Sequence, residues 1–132
     1  MTISDAEMSS RLIALADRLQ PRWFEVPKAA LSPAGQVFRS VWELEAEVNN
    51  GGFDQYFFNS SGEGAPFVTD ALRAIGAHAA ADIAARAIAS SGDTDALEQL
   101  DQEFFAYPDD LTALLYAYAS DHRGELGAPP GF

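Results

Sequence analysis

The sequence contains no cysteine, which excludes disulfides, thiolate nucleophiles and cysteine-bound zinc. It has no apolar run of about 18 residues, so no membrane-spanning helix is expected. Its opening residues, MTISDAEMSS, lack a basic segment followed by an apolar one. No secretory leader is expected there, and the default expectation is a cytoplasmic protein with no membrane partner. Bases are scarce: eight Lys and Arg stand against twenty Asp and Glu, for a formal net charge of −12. Such a chain repels nucleic acid and attracts basic proteins. Histidine is limited to His78 and His122. His78 reads as a partly exposed structural residue, and His122 as a solvated residue or a cation at a helix C-terminus. They have no metal spacing and no H-E-x-x-H pattern. DTDALEQLD, residues 93–101, is acidic but lacks the loop glycine of an EF-hand. No metal, cofactor or catalytic residue is therefore assigned.

What is present suits a folded domain. The apolar share is 48% over 132 residues, which fits a single domain spanning 1–132. The acids are unevenly placed. Between Arg39 and Arg73 there are six and no base; between Arg86 and Arg123 there are eight and again no base. A solubilising surface explains one such stretch, while two favour a functional acidic face.

The hydrophobic periodicity is helical nearly throughout, and β-branched residues are few, so an all-α domain of six to seven helices is expected. Ser4 and Glu7 form a capping box. Met8, Leu12, Leu15, Ala16 and Leu19 follow at helical spacing, and Pro21 is expected to end this first helix. The segment 21–36 reads as a connector with one helical turn near 28–31, pinned by Trp23 and Phe24. Ser32 and Pro33 open the next helix as N-cap and first residue. Its stripe is Val37, Val41, Leu44 and Val48, flanked by Phe38 and Trp42, with Arg39 and Glu43 paired one turn apart. Glu45 sits at the edge of the apolar face and needs a donor, or desolvation costs energy. Further helices are expected over 66–75, from about 77 to Gly92, from Asp93 or Thr94 to Pro108, and after a cap at Asp109 or Asp110. Residues 123–132, rich in Gly and Pro, are expected to form a loose tail.

Residues 47–64, EVNNGGFDQYFFNSSGEG, admit three readings. Asn-Gly suggests a hairpin, but the upstream period is 3.6, and Phe53, Tyr56 and Phe57 fall at i, i+3 and i+4. A phosphate-binding loop lacks both a preceding strand and a nearby base. Two helices meeting at a Gly-Gly break fit best, with Asn50 or Gly51 left-handed. The second is expected to end through Asn59, Ser60 and Ser61 at Gly62 and Gly64.

This stretch resembles the signature of a bacterial domain of unknown function named for a DNA-mimic protein, the DNA mimic protein C-terminal domain family. The matching positions are Glu47, Val48, Asn50, Gly51, Gly52, Phe53, Gln55, Tyr56, Phe57 and Asn59. AIGA at 74–77 and LDQEFFAY at 100–107 resemble later segments, so the likeness covers about 37–118. The resemblance implies a helical fold and a protein that presents carboxylates where DNA presents phosphates.

The expected function is accordingly an acidic protein-interaction domain, with a basic DNA-binding protein as partner and no direct nucleic acid. The candidate carboxylates are Glu43, Glu47, Asp95, Glu98, Asp101, Asp109, Asp110 and Asp121, because acids three or four apart on a helix lie on one face. A homodimer would double any such row; the oligomeric state is open. Two alternatives stand: a small-molecule or peptide pocket beside Asn50, Gln55 and Asn59, and, less favoured, an enzyme with convergent desolvated polar groups.

Overall fold

The computed structural model describes residues 3–59 and 61–132, without the side chains of 61–64 and 66. Among the described residues there are seven α-helices and no strand, as the periodicity predicts. They are α1 (Asp5–Glu25), α2 (Pro33–Asn59), α3 (Ser61–Ala74), α4 (His78–Ala89), α5 (Thr94–Phe105), α6 (Leu111–Asp121) and α7 (Arg123–Leu126), with a 3-10 turn at Lys28–Ala30. No helix among the described residues is long and apolar enough to cross a membrane.

Local capping sets most of the helix starts. The Ser4 hydroxyl accepts from the Glu7 amide at 3.1 Å, and the Ser32 hydroxyl from the Gly35 amide at 3.1 Å. Asp93 accepts from the Ala96 amide at 3.1 Å, and Asp110 from the Ala113 amide at 3.1 Å. Each cap satisfies an amide that the helix itself leaves without a partner.

The centre of the fold is α2, which packs against α3, α5, α6 and α7. Its stripe of Val37, Val41, Leu44 and Val48 is buried, and Phe38 joins it. The Trp42 ring stacks on Phe38 at 5.9 Å, interplanar angle 10°. Around it lie Leu12, Leu15 and Ala16 of α1, Val68 and Leu72 of α3, Leu97, Leu100 and Phe104 of α5, and Leu115 of α6, all buried. In α4 the buried face is largely alanine, Ala80, Ala81, Ala84 and Ala87. Short side chains there let α4 approach α3 and α5 closely.

Four expectations are corrected. Pro21 lies inside α1, which runs on to Glu25. An interior proline costs roughly 3 kcal/mol, yet this extension carries Trp23 into the core. Its ring meets Phe38 at 6.3 Å, and the Arg39 guanidinium lies 5.7 Å from its centre. The true stop is Val26, extended at φ −129° and ψ 152°, as residues before proline usually are. Phe24 pins nothing; it is 89% exposed, because it lies about 100° round the helix from Trp23, away from the core. The left-handed residue at the break is Gly52, with φ 78° and ψ −178°, whereas Gly51 has φ −154°. Gly62 and Gly64 lie inside α3 rather than ending its predecessor, and Ser60 is outside the described residues.

The C-terminal segment 123–132 carries α7, with Leu126 buried. Arg11 donates to the Gly131 carbonyl at 2.8 Å and to the Tyr116 hydroxyl at 2.9 Å. Phe132 packs on Tyr116 with ring centres 5.1 Å apart.

Trp23 is the testable element of α1. Trp23→Ala should cost about 3–5 kcal/mol in urea unfolding and remove exchange protection at the Val26 amide. Phe24→Ala should change stability by less than about 0.5 kcal/mol. Equal losses from the two variants would contradict this account of how α1 passes Pro21.

Candidate functional site

The Gly-Gly break divides α2 into two limbs, and the corner between them is closed by α5. The Asp101 carboxylate accepts from the Phe53 amide at 2.8 Å. Phe53 is among the first residues of the second limb, so Asp101 caps that limb from another helix. A Cβ on Gly52 would run into the Asp101 carboxylate, and the conformation at Gly52 is one that glycine alone adopts readily. The same two segments meet through their aromatics. Phe53 packs edge-on against Phe104, ring centres 5.8 Å apart at 79°.

On the outside of the corner the polar residues form a closed network. Glu47 accepts from the Gln55 amide nitrogen at 3.1 Å and from that of Asn59 at 3.1 Å. Asn50 donates to Gln55 at 3.3 Å. Residues from both sides of the break are thereby tied together. Tyr56 is buried beneath them, with Phe57 against it at 5.5 Å. Burial, and then Glu43, push the Tyr56 phenol above its ordinary pKa. Four surface cavities among the described residues are lined by other residues, and none of the four includes Asn50, Gln55 or Asn59. The polar groups that suggested a pocket satisfy one another instead.

The other candidate carboxylates divide by what they touch. Glu43 is held by two cations, Lys28 at 3.3 Å and Arg39 at 3.3 Å. Asp109 accepts from the Ala80 amide at 2.7 Å and so caps α4, whose own N-cap residue, Ala77, has no side chain for the purpose. Asp110 caps α6. Asp95, Glu98 and Asp121 are exposed and have no partner among the described residues. Asp95, Glu98 and Asp101 line one surface groove of about 490 Å³ with Gln99 and Gln102. No Lys or Arg contributes to it. Sequence reading missed Glu125, whose carboxylate accepts from the Ala34 amide at 2.7 Å and caps α2. That amide, the Ser32 hydroxyl and the nearby His122 hold the Glu125 carboxyl below its usual range.

Glu45 is half-buried and has no hydrogen-bond donor among the described residues. Desolvation raises its pKa, and the charge of Asp110 adds to the shift. The donor that its position calls for is missing, so its ionised form works against the fold.

A family model described as DMP19-like protein matches residues 29–122. The match contains the Gly-Gly corner, the whole of α5 and the caps at Asp109 and Asp110. No curated protein matches the chain, and no solved structure does.

Two outcomes check this geometry. Gly52→Ala should cost about 2–4 kcal/mol, combining strain at the break with displacement of the Asp101 cap. Asp101→Ala alone should cost about 1–2 kcal/mol, and the double variant should fall short of the sum, since both act on one contact. Additive losses in urea titrations would contradict the shared contact. For Glu45 the sign follows from its raised pKa. The folded state holds this proton more tightly than the unfolded chain does, so stability falls as pH rises from about 4.5 through the folded value. Glu45→Gln should therefore be more stable than the parent protein at pH 7. The advantage should vanish below the ordinary carboxylate pKa.

Proposed function

The chain belongs to the DMP19-like protein family, a family of DNA mimic proteins, and we propose that it is an acidic interaction domain that occupies the DNA-binding surface of a basic protein. The observation that carries this reading is the groove on α5. Asp95, Glu98 and Asp101 lie along one helix face with no base among the groove residues. From Asp95 to Asp101 is six residue steps, roughly 9 Å of helix axis, over which duplex DNA carries several phosphates at about one charge per 1.7 Å. Asp54 is exposed and follows Phe53, whose amide Asp101 holds, so the second limb of α2 brings a further carboxylate to the same corner.

The carboxylates engaged elsewhere have other work. Glu43 is neutralised by Lys28 and Arg39 and attracts a basic partner weakly. Asp109 and Asp110 spend hydrogen-bonding capacity on helix ends. The partner-binding set is therefore Asp95, Glu98, Asp101 and Asp54, with Asp121 at the far end of α6 acting only through long-range attraction. The partner presents Arg and Lys in the pattern that otherwise meets phosphates.

The test begins with a DNA-binding protein captured from the host lysate, purified and titrated with the acidic chain. Affinity should fall steeply between about 50 and 200 mM salt, and duplex DNA should compete. Asp95→Asn with Glu98→Gln should weaken binding by at least about tenfold and flatten the salt dependence. Salt-independent binding, or a ternary complex with DNA, would count against mimicry.

A further inference from the structure

A second concave site shares no residue with the α5 groove and lies where the end of α1, the 3-10 turn, the start of α2 and α7 converge. It is a cavity of about 350 Å³, within the range of small-molecule sites, about 300–1,000 Å³. Leu19, Trp23, Leu31 and Leu126 supply apolar walls, and Arg22 and Glu125 supply one charge of each sign.

Two properties make this more than a gap in packing. First, the walls are held from behind. Trp23 is fixed by Phe38 at 6.3 Å and by the Arg39 guanidinium at 5.7 Å, and Arg39 also donates to the Trp23 carbonyl at 3.3 Å. Glu125 is fixed by the Ala34 amide at 2.7 Å. A ligand entering such a site does not have to order these walls first. Second, the two charges do not neutralise each other. The Arg22 side chain has no ion pair or hydrogen bond among the described residues, although it lines the same cavity as Glu125. Of the other bases, Lys28 and Arg39 contact Glu43, Arg73 contacts Asp70 and Arg86 contacts Asp82 and Glu103, Arg11 and Arg123 donate to neutral oxygens, and Arg18 has no partner among the described residues. A cation and an anion facing one apolar cavity without pairing match a ligand that carries both charges.

The geometry points to a binding site for a small zwitterion with an apolar side chain, of which an aliphatic or aromatic amino acid is the simplest form. Its carboxylate meets the Arg22 guanidinium, its ammonium meets the Glu125 carboxylate, and its side chain lies among Leu19, Trp23, Leu31 and Leu126. Two other cavities offer less. The one beside Trp42 and Glu45 is about 150 Å³, and that beside Leu100 is bordered by the closed Arg86–Glu103 pair.

The experiment is an NMR titration of the isotopically labelled full chain with leucine and with phenylalanine. The controls are N-acetyl-leucine, leucinamide and glycine, which lack in turn the ammonium, the carboxylate and the apolar side chain. Saturable shifts confined to residues 19–35 and 122–128 are expected with the two amino acids, and affinities at least about tenfold lower with each control. Arg22→Gln should weaken leucine binding by about tenfold with no change in unfolding temperature, because the side chain has no structural partner. Ala30→Trp, at an exposed position on the cavity rim, should abolish binding while the fold persists. Absence of saturable shifts with both amino acids would overturn the proposal. So would equal binding of leucine, its acetyl form and its amide.

Discussion

The fold turns on one carboxylate. Asp101 accepts the Phe53 amide at 2.8 Å directly against the backbone of Gly52, and this contact fixes the angle between the two limbs of α2. The first limb carries the stripe from Val37 to Val48 that the other helices cover. The second carries Phe53 and Tyr56 into the same core. An uncapped second limb would leave buried amides without partners, at about 1–3 kcal/mol for each unsatisfied group. Glycine is required because nothing larger fits between the chain and the carboxylate at that conformation.

The same device recurs. Asp109 caps α4 from beyond α5, and Glu125 caps α2 from the end of the chain. Part of the acidity that marks this protein is thus internal scaffolding: carboxylates placed on helix N-termini, where both the free amides and the helix dipole favour negative charge. On α5, Asp95 and Glu98 take no part in such caps and line the exposed groove. Asp101 belongs to both groups. It holds the corner with one oxygen and lines the exposed groove with Asp95 and Glu98. The signature-like segments at 50–59 and 100–107 therefore form a single structural unit, with the acidic face built on its outer side.

The sequence shows what is local and hides what is not. The caps at Ser4, Ser32, Asp93 and Asp110 were legible because donor and acceptor are three residues apart. The caps that span helices join residues 48, 29 and 91 positions apart, and no periodicity encodes such a pairing. Asp101 left a partial trace, since it lies beside the inward stripe of Leu100 and Phe104; Glu125, in a Gly-rich segment, left none. The course of α1 past Pro21 is hidden because the proline rule is local, whereas the gain from burying Trp23 comes from Phe38 and Arg39 on another helix. The polar residues of the corner were legible as a group, but their closure into a network around Glu47 depends on the bend itself.

The most direct measurement is hydrogen exchange at the Phe53 amide, read by NMR in the parent protein, in Asp101→Asn and in Asp95→Asn. If Asp101 governs the corner, this amide is protected to the level of the helix interiors, although it stands at a helix start where amides ordinarily exchange fast. Protection should fall in the Asp101 variant and stay unchanged in the Asp95 variant. Fast exchange at Phe53 in the parent protein, or equal protection in all three, would contradict the claim that one carboxylate on α5 holds the corner of α2.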